Sequence, residues 1–530
     1  MFAALLLSAA WQCVVPNGPV RAQVTTPDGR IVVAQDGALV VEERTGDASE
    51  RPVGRQPGGV SIAITPCDGL PGAFPTALAA GGESVYVGFR HEGVWRWDAG
   101  GFSHLDMLGA DVEAGGVRAL AVAGDGLLVG TGTAGLFLRT SDGTVSHLER
   151  PSLATAAVFA LEPTGKPGKF RAAFGPFGAF EVDPSGGALH VRKTASGFVG
   201  AFDAAGRPTV FGAARASESP GTARGLPTAH MTAAAPFGDR LYVGTFDGGL
   251  FATPPGGTPP PGVTFIPVAG VPPFVNTLLA MPDRLLIGTS QGLFTLPMGV
   301  STEPAAAVPV SGITAHVNGL AVSNASPGHP ATIAVATGDG AYLIEGTSLM
   351  HLGESQGLPS RLTWAVAYDA AGALWIGTSA GLVRLADDRP PETLSRATGH
   401  LPHDWVTALL PDGPDMLVGT YDAGAVRLSP DASQPAGFGH TTVVDAAWVN
   451  PGGLARVGGV PWVLTLGGGA GPLDPTGGFT PRSPAALNDV TAAAAFGGDV
   501  WLATRGGLIH GGATGAATGD TLRGPVLGAR

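Results

Sequence analysis

The chain has 530 residues, of which 44% are hydrophobic and 14% charged, a composition that excludes a disordered or coiled-coil protein. Its formal net charge is −12 and its only lysines are Lys166, Lys169 and Lys193, so neither nucleic acid nor an anionic membrane is an expected partner. The 84 glycines and 46 prolines follow no triplet period and indicate tight turns between short strands, while the length predicts two domains.

The N-terminal segment MFAALLLSAAWQC (residues 1–13) is apolar and resembles the end of a secretory signal, with cleavage expected after Ala10. No Lys or Arg precedes the apolar run, and the run is shorter than in a standard signal. Cys13 offers a second interpretation, a lipoprotein attachment site, although the bulky Gln12 stands where such sites carry a small residue. A bilayer span needs about 20 apolar residues, so we expect a periplasmic or secreted protein, or an outer-membrane lipoprotein, without a transmembrane span.

The chain contains two cysteines, Cys13 and Cys67. In an exported protein they could pair and tie the N-terminal arm to the connection between the first two repeats. Two unrelated thiols, or a lipid-bearing Cys13, are the alternatives that the sequence leaves open.

A five-residue apolar segment recurs along the whole chain, in most cases at steps near 40 residues. The copies are IVVAQ (31–35), VYVGF (85–89), LLVGT (127–131), FRAAF (170–174), TVFGA (209–213), LYVGT (241–245), LLIGT (285–289), IAVAT (333–337), LWIGT (374–378), MLVGT (416–420), VLTLG (463–467) and VWLAT (500–504). This spacing is typical of four-stranded blades arranged around an axis.

The most regular copy lies in GLPSRLTWAVAYDAAGALWIGTSAGLVRL (357–385). It predicts strand, turn, strand, turn, strand, with the turns at 369–372 and 377–381, and Gly381 is expected at positive φ. Such a meander cannot bury both of its faces alone, so it needs neighbours of its own kind.

Residues 357–385 resemble the two-component-regulator propeller repeat, which occurs in the extracytoplasmic sensor half of bacterial hybrid histidine kinases and in stand-alone relatives. The resemblance is good at 225–253 and 402–428 and weak in the first 220 residues. It implies an all-β β-propeller protein of about twelve four-stranded blades. No kinase, response-regulator or DNA-binding segment accompanies the repeats, so the signalling output of that family is not implied.

The repeats predict two six-bladed propellers in tandem, at 14–269 and 270–530, with five plus seven blades as the main alternative. The Pro/Gly-rich stretch 253–262 is interpreted as a loop between the third and fourth strands of one blade, which puts the boundary near Gly270. The polar insertion 44–59 is expected to be an exposed loop.

The loop that enters each innermost strand, and the turn between the second and third strands, lie on the same face of a propeller. Polar and aromatic residues in the entering loops are the predicted ligand-binding set: His230, Asn276, His316, Asn318, Arg361, Trp364, His403, Asp404, Trp405, Asp445 and Asp489. The matching turns carry Asp247, Gln291, Asp339, Ser379, Asp422 and Arg505. Concave sites of this composition suit small or oligomeric polar ligands, whereas the competing interpretation is that these residues cap turns and start strands.

Three apparent motifs are not expected to carry chemistry. The matches to G-x-S-x-G at 288–292 and 377–381 are ordinary turns of the repeat, and the dinucleotide-like fingerprint at 130–135 is followed by a strand instead of a helix. His400 and His403 are separated by a loop sequence and have no third ligand nearby, so no metal or other cofactor is expected.

The sequence therefore favours an exported, non-enzymatic propeller that binds a small-molecule, glycan or protein ligand at the polar rim of its channel, as a sensor or a scaffold. A carbohydrate-active lyase or hydrolase built on the same loops is the alternative from a different class. A purely structural scaffold is a third hypothesis, and it predicts large apolar patches on a propeller face.

Overall fold

The structure is a computed structural model of the full chain. It describes residues 12–14, 20–42, 61–107, 112, 115–203, 207–209, 226, 228–256, 265–299, 304–324, 331–386, 389–434, 437–445, 447–474, 478–483 and 487–512. The N-terminal segment 1–11, the insertion 44–59 and the middle of the loop 253–262 lie outside the described residues.

The described chain folds into twelve antiparallel sheets, ten of four strands, one of three and one of two, as the twelve-fold repeat predicts. Little of the described chain is helical: three short 3-10 turns lie at Pro66–Asp68, Ser185–Gly187 and Glu354–Gln356, and Val112, Gly115 and Leu487 are also helical. No helix in the part of the chain that the structure describes is long and apolar enough to cross a membrane.

Two compact units share the sheets. One comprises Met1–Val14 and Ala223–Asp520 and is called the seven-sheet unit; the other comprises Val15–Thr222 and Thr521–Arg530 and is called the five-sheet unit. The division between Thr222 and Ala223 differs from the boundary predicted near Gly270, and the sheets divide as five and seven instead of six and six. The reason is that the sheet β20–β23, which contains the loop 253–262, belongs to the seven-sheet unit.

The first described strand, β1 (Gln12–Val14), belongs to the seven-sheet unit. The strands of the five-sheet unit are β2 (Val20–Thr25), β3 (Ile31–Gln35), β4 (Ala38–Glu42), β5 (Ser61–Ile64), β6 (Pro75–Gly81), β7 (Ser84–Phe89), β8 (Val94–Asp98), β9 (Gly101–Leu105), β10 (Val117–Ala123), β11 (Gly126–Thr131), β12 (Leu136–Arg139), β13 (Val145–His147), β14 (Ala160–Pro163), β15 (Phe170–Ala173), β16 (Ala179–Asp183), β17 (His190–Ala195), β18 (Ala201–Phe202) and β19 (Pro208–Thr209). They form four four-stranded meanders, β2–β5, β6–β9, β10–β13 and β14–β17, and the two-stranded sheet β18–β19. The first strands β2, β6, β10 and β14 are neighbours in that order.

The remaining strands all lie in the seven-sheet unit. They are β20 (Met231–Phe237), β21 (Arg240–Thr245), β22 (Leu250–Ala252), β23 (Ile266–Pro267), β24 (Val275–Ala280), β25 (Arg284–Thr289), β26 (Gly292–Pro297), β27 (Val308–Pro309), β28 (Val317–Val322), β29 (Thr332–Thr337), β30 (Gly340–Glu345), β31 (Ser348–Leu352), β32 (Thr363–Tyr368), β33 (Leu374–Thr378), β34 (Gly381–Ala386), β35 (Arg389–Leu394), β36 (Val406–Asp412), β37 (Asp415–Thr420), β38 (Ala425–Pro430), β39 (Phe438–Val444), β40 (Val449–Val457), β41 (Val460–Thr465), β42 (Ala470–Pro472), β43 (Val490–Phe496), β44 (Asp499–Thr504) and β45 (Gly507–Gly512). The placement of 253–262 between β22 and β23 of one sheet confirms that part of the sequence interpretation.

The seven first strands, β20, β24, β28, β32, β36, β40 and β43, contact one another in that order, and β43 contacts β20, which closes the ring. The last sheet takes its outer strand from the N-terminus, because β1 pairs antiparallel with β45 through Cys13 opposite Ile509. Apolar clusters fill the space between adjacent sheets, and the cluster at the closure joins Met231 and Leu241 of the first sheet to Trp501 and Leu508 of the last. The unit is therefore a closed seven-bladed β-propeller.

The recurring Gly-Thr pair is explained by two short-range contacts. The buried Thr378 hydroxyl donates to the Gly381 carbonyl at 2.8 Å and accepts from the Ala380 N–H, which fixes the turn that follows β33. A Cβ on Gly377 would lie 2.6 Å from Cγ1 of Val406, so adjacent sheets approach too closely there for any side chain. As predicted, Gly381 has positive φ, at 127°.

One repeat copy was placed incorrectly by the sequence pattern. In β41 the Thr465 hydroxyl donates to the Gly469 carbonyl, as Thr420 does to Gly424. The copy is therefore PWVLT at 461–465, two residues before the predicted 463–467, because the apolar run there is longer than in other repeats.

Both cysteines, Cys13 and Cys67, are disulfide-bonded. A sulfur in a disulfide has no thiol to carry a lipid, so the lipid-bearing alternative at Cys13 is not compatible with this arrangement.

Candidate functional site

Each sheet of the seven-sheet unit brings two residues together on one face of the ring. The residue before the first strand accepts a backbone hydrogen bond, through its carbonyl, from the residue that follows the second strand. The seven pairs are His230 and Phe246, Phe274 and Ser290, His316 and Gly338, Leu362 and Ser379, Trp405 and Tyr421, Trp448 and Leu466, and Asp489 and Arg505. We call these fourteen residues the rim.

Below the rim, the second residue of the first strand bulges out of register in every sheet of the ring. In six sheets its side chain donates to the backbone carbonyl of the next sheet's first strand. The bonds run from Thr232 to Val275, Asn276 to Val317, Asn318 to Thr363, Thr407 to Val449, Asn450 to Val490 and Thr491 to Met231. We call these side chains the latches, and the bond from Thr491 to Met231 closes the ring at 3.0 Å.

Trp364 occupies the seventh latch position and is the exception. Its indole is not bonded to the Val406 carbonyl, which would be its acceptor if it followed the pattern, and no other described side chain donates there. Instead its ring lies 5.3 Å from that of Trp405, centroid to centroid. In this sheet an aromatic contact at the rim replaces the hydrogen bond that joins each of the other six sheets to the next.

Four rings extend from this point along the rim. Trp405 stacks on Tyr421 at 4.3 Å and 9° between planes, and Tyr421 stacks on Trp448 at 5.0 Å and 25°. We call Trp364, Trp405, Tyr421 and Trp448 the aromatic ridge. Tyr421 is covered on both faces, so the ridge presents ring edges along its length, and Trp448 at its end is 43% exposed.

Two indole N–H groups of the ridge have no hydrogen-bond partner in the described structure. Trp364 Nε1 and Trp405 Nε1 are both enclosed. Leaving a buried donor unpaired costs about 1–3 kcal/mol, and each such group in a native protein calls for a specific explanation. Here both belong to the same pair of touching rings.

A charged group lies beyond the Trp448 end of the ridge. Asp489 accepts from Arg505 Nε at 3.2 Å and from Asn450 Nδ2 at 3.1 Å. Burial raises the pKa of the Asp489 carboxyl, while Arg505, Asn450 and His230 oppose that rise. The same Asn450 amide nitrogen donates to the Val490 carbonyl, so this side chain both joins two sheets and contacts Asp489.

Two histidines of the predicted set accept hydrogen bonds. His316 Nε2 accepts from Asn276 Nδ2 at 3.0 Å, since that amide nitrogen can only donate, and burial lowers the pKa of the imidazole. His403 Nδ1 accepts from the Trp405 N–H at 2.9 Å, and its Nε2 lies 3.5 Å from Asp422. His403 therefore fixes the backbone on which Trp405 stands.

Other predicted residues do not converge on this region in the same way. Arg361 is exposed and bonded to Asp339, Asp404 accepts from the Arg396 backbone N–H, and Asp445 is exposed without a contact that places it at the rim. Asn318 is a latch, and His230 lies 6.2 Å from Phe246 between ring centroids. Asp404 therefore caps a turn, which is the interpretation that competes with ligand binding.

The residues that sequence reasoning missed are the aromatic ones. Tyr421 and Trp448 stand at rim positions, as do Phe246 and Phe274, whose rings meet at 5.1 Å. The sequence prediction matched these turns at Asp247 and Asp422, which lie one residue after the rim positions, and therefore did not include Phe246 and Tyr421. Aligning each turn on the threonine before it would have found them.

The first strand of the sixth sheet carries an insertion that reaches across the ring. Between Val449 and Leu454, β40 advances five residues while β41 advances two, whereas β36 and β37 advance two and one at the same place. The extra residues put β40 in contact with β28 and β32, which are not its neighbours in the ring. A Cβ on Gly453 would lie 2.5 Å from the Leu464 carbonyl oxygen, so this bulge closes tightly on its own backbone.

The apparent catalytic motifs are parts of strands and turns, as expected. Ser379 lies between β33 and β34, and its hydroxyl bonds that of Ser360 at 2.8 Å. The segment 130–135 joins β11 to β12. Among the described residues no group of three or more His, Cys, Asp or Glu side chains could hold a metal ion.

Comparison with known proteins finds similar folds among solved structures. The extracellular domain of a hybrid two-component system from B. thetaiotaomicron is 12% identical, with a TM-score of 0.42 over 94% of this chain and 82% of that one. The extracellular domain of a one-component system from the same organism is 11% identical, with a TM-score of 0.44 over 95% and 82%. PorZ, a surface component of the type-IX secretion system of Porphyromonas gingivalis, is 13% identical, with a TM-score of 0.40 over 96% and 88%.

No protein-family model matches the chain, and no curated protein matches its sequence.

Proposed function

We propose that the protein is an exported, non-enzymatic binding protein whose seven-sheet rim holds a ligand against the aromatic ridge. The observation that carries this proposal is Trp364. Six latch positions carry Thr or Asn bonded to the next sheet, whereas the seventh lacks that bond and its ring lies tilted against Trp405 at the rim. Departures from a structural rule that is kept elsewhere in a fold mark functional sites.

The surroundings of the ridge suit a ligand with both apolar surface and hydrogen-bonding groups. The exposed ring of Trp448 offers the apolar contact, and the cluster of Asp489, Arg505 and Asn450 supplies charged and amide groups. Sites with a few placed polar groups among aromatic side chains recognise small or oligomeric polar ligands. A glycan or a peptide meets this description.

Export to the periplasm or the medium is part of the same proposal. Disulfides persist in oxidising compartments and are rare in the cytosol, and both cysteines of this chain are disulfide-bonded. The signal-like pattern that ends at Ala10 supports the same location, and the bonded state of Cys13 favours a protein without a lipid anchor.

The test is a binding screen with the full chain. Panels of glycans and of peptides are assayed by thermal shift, and the hits are measured by titration calorimetry. The proposal predicts a hit whose affinity falls at least tenfold in Trp448→Ala. Leu349→Ala is the matched control, because Leu349 is a similarly exposed apolar residue (41%) on the outer strand β31, and this variant keeps full affinity.

An intact fold that no glycan or peptide stabilises would overturn the proposal, as would equal loss of affinity in both variants. The same glycan panel is assayed for released reducing ends and unsaturated products. If these accumulate, the protein is an enzyme and the non-enzymatic assignment is wrong.

A further inference from the structure

The five-sheet unit carries an arginine at the position where the seven-sheet unit carries its latches. Arg21 in β2 and Arg118 in β10 are the second residues of their strands, each at a register shift between the residues on either side. Both side chains are exposed. The two guanidinium groups have different contacts.

Arg21 shows what an arginine at this position binds. Its Nε and Nη2 donate to the two carboxylate oxygens of Asp36 at 3.0 and 2.7 Å, the bidentate geometry that a guanidinium favours. Asp36 directly follows β3 and so holds the rim position of its sheet. Arginine and carboxylate are joined within one sheet.

Arg118 has the same place in its sheet, but none of the described residues supplies such a carboxylate. The residue that follows β11 is Gly132, because Val117 pairs with Thr131 as Val20 pairs with Gln35. The backbone of Gly132 is bonded to Gly115 and Gly116, and a Cβ there would lie 3.1 Å from Arg118 Nε. The position of the missing carboxylate is thus directly beside the guanidinium.

Arg118 is nevertheless held in place. Its guanidinium carbon lies 5.3 Å from the centroid of the Phe159 ring, and Phe159 is in turn supported by the edge of Phe198 at 5.7 Å. An arginine stacked on a ring keeps its N–H groups free in the plane of the guanidinium. Within the described residues Arg118 forms no ion pair.

A second arginine of the neighbouring sheet has its backbone close to Gly116. Arg90 follows β7, stacks at 5.1 Å on Phe74 and has no ion pair in the described ranges. Its carbonyl lies against Gly116, 2.8 Å from where a Cβ would stand, and Gly116 is two residues from Arg118. Most other basic side chains described in this unit are paired with Asp or Glu, as Arg96 is with Asp98 and Lys169 with Asp183.

We infer that Arg118 and Arg90 form a binding site for the carboxylate group of an external ligand, which takes the place that Asp36 occupies beside Arg21. The site is separate from the aromatic ridge and does not depend on it. Arg118 supplies the bidentate contact, and Arg90 adds a second positive charge. Dicarboxylates are therefore preferred over monocarboxylates.

The test is titration calorimetry of the full chain with sodium succinate and sodium acetate at constant ionic strength. Saturable binding of succinate at one site per chain is expected, tighter than that of acetate. Arg118→Gln and Arg90→Gln each weaken succinate binding at least tenfold. Arg150→Gln is the control, because Arg150 also stacks on a phenyl ring, that of Phe180 at 5.4 Å, and this variant keeps the affinity of the unaltered chain.

Circular dichroism of each variant establishes that it is folded before its affinity is compared. No saturable binding of succinate to the unaltered chain, or the same affinity in the double variant Arg118→Gln/Arg90→Gln, overturns the site. Binding of sulfate in place of succinate overturns the assignment to carboxylates.

Discussion

The two units place different chemistry on the same backbone bulge. In the seven-sheet unit the second residue of the first strand is Thr or Asn in six sheets, and its side chain binds the next sheet. In the five-sheet unit Thr76 does the same, donating to the Val117 carbonyl, but Arg21 and Arg118 do not. The short neutral side chains bond the backbone of the neighbouring sheet, whereas Arg21 binds Asp36 of its own sheet and Arg118 stacks on the Phe159 ring.

The latch positions thus fall into two groups: those whose side chains join neighbouring sheets, and those whose side chains do not. The Thr491 bond to Met231 joins residues 260 apart in sequence and closes the seven-sheet ring. Trp364 and Arg118 stand at equivalent positions without such a bond, and each lies in a candidate site. Both candidate sites that we propose therefore include a latch position that has lost its bond to the next sheet.

The largest effect is expected where the sheets approach most closely. Gly377→Val forces a side chain into a site where even a Cβ would lie 2.6 Å from Val406 Cγ1. Overpacking a dense core costs about 1–3 kcal/mol, and we expect this variant to lose about 3 kcal/mol of unfolding free energy in urea denaturation.

Gly130→Val is the counterpart in the five-sheet unit, where the distance to Val158 Cγ1 is also 2.6 Å, and it should lose as much. Gly299→Ala is the control, because the nearest atom to its Cβ would be 3.9 Å away. A Gly377→Val protein as stable as Gly299→Ala would show that the sheets are further apart than described.

The second effect concerns Trp364. Trp364→Ala loses the contact with Trp405, whereas Trp364→Asn loses that contact and regains a latch to the Val406 carbonyl. One intramolecular hydrogen bond contributes about 1 kcal/mol, so the Asn variant should be more stable than the Ala variant by about that amount. Urea denaturation of both proteins measures the difference, and an Asn variant no more stable than the Ala variant contradicts the latch rule.

The third effect is the closure of the ring. Thr491→Val removes the hydroxyl that bonds the Met231 carbonyl but keeps the shape of the side chain, and it should cost about 1 kcal/mol. Thr76→Val removes the corresponding bond in the five-sheet unit. Thr441→Val, at an exposed position of β39, is the control in the same denaturation experiment. Equal stability of Thr491→Val and Thr441→Val would show that the Thr491 hydrogen bond does not stabilise the closed ring.

The smallest effect depends on pH. Burial depresses the pKa of His316 in the folded protein below its value of 6.5 in the unfolded chain. The neutral form therefore contributes stability above pH 6.5, and this contribution is lost as the pH falls from 6.5 through the depressed value. The stability advantage of the unaltered protein over His316→Gln should be greater at pH 7.5 than at pH 5.5. The same advantage at both values would rule out this role for the imidazole.

The fold could be predicted from the sequence where its causes are local. The turn after LWIGT depends on Thr378 and Gly381, three residues apart, and the glycine of that segment is required by the first valine of the next repeat. The partition into rings has a cause that is not local. The sequence of β20 alone does not show whether its neighbour is β43, about 260 residues later, or a strand of the sheet that precedes β20 in the chain.

The candidate site was predicted in part for the same reason. His230, His316, Trp405 and Asp489 stand directly before first strands and were found from that position. Tyr421 was missed because the turns were aligned one residue late, and Trp448 was missed because the repeat copy that follows it was itself placed two residues late. That Trp364 has no latch partner becomes visible only when seven sheets are compared in three dimensions.

The pairing of β1 with β45 has a consequence for the order of assembly. β1 finds its partner only when residues 507–512 have been made, so the last sheet lacks its outer strand until then. The contacts that close the ring lie earlier in the chain, where β43 meets β20 and the Thr491 hydroxyl bonds the Met231 carbonyl. A chain that stops short of residue 507 therefore keeps these closing contacts but leaves β44 as the edge of the last sheet and β1 without its partner.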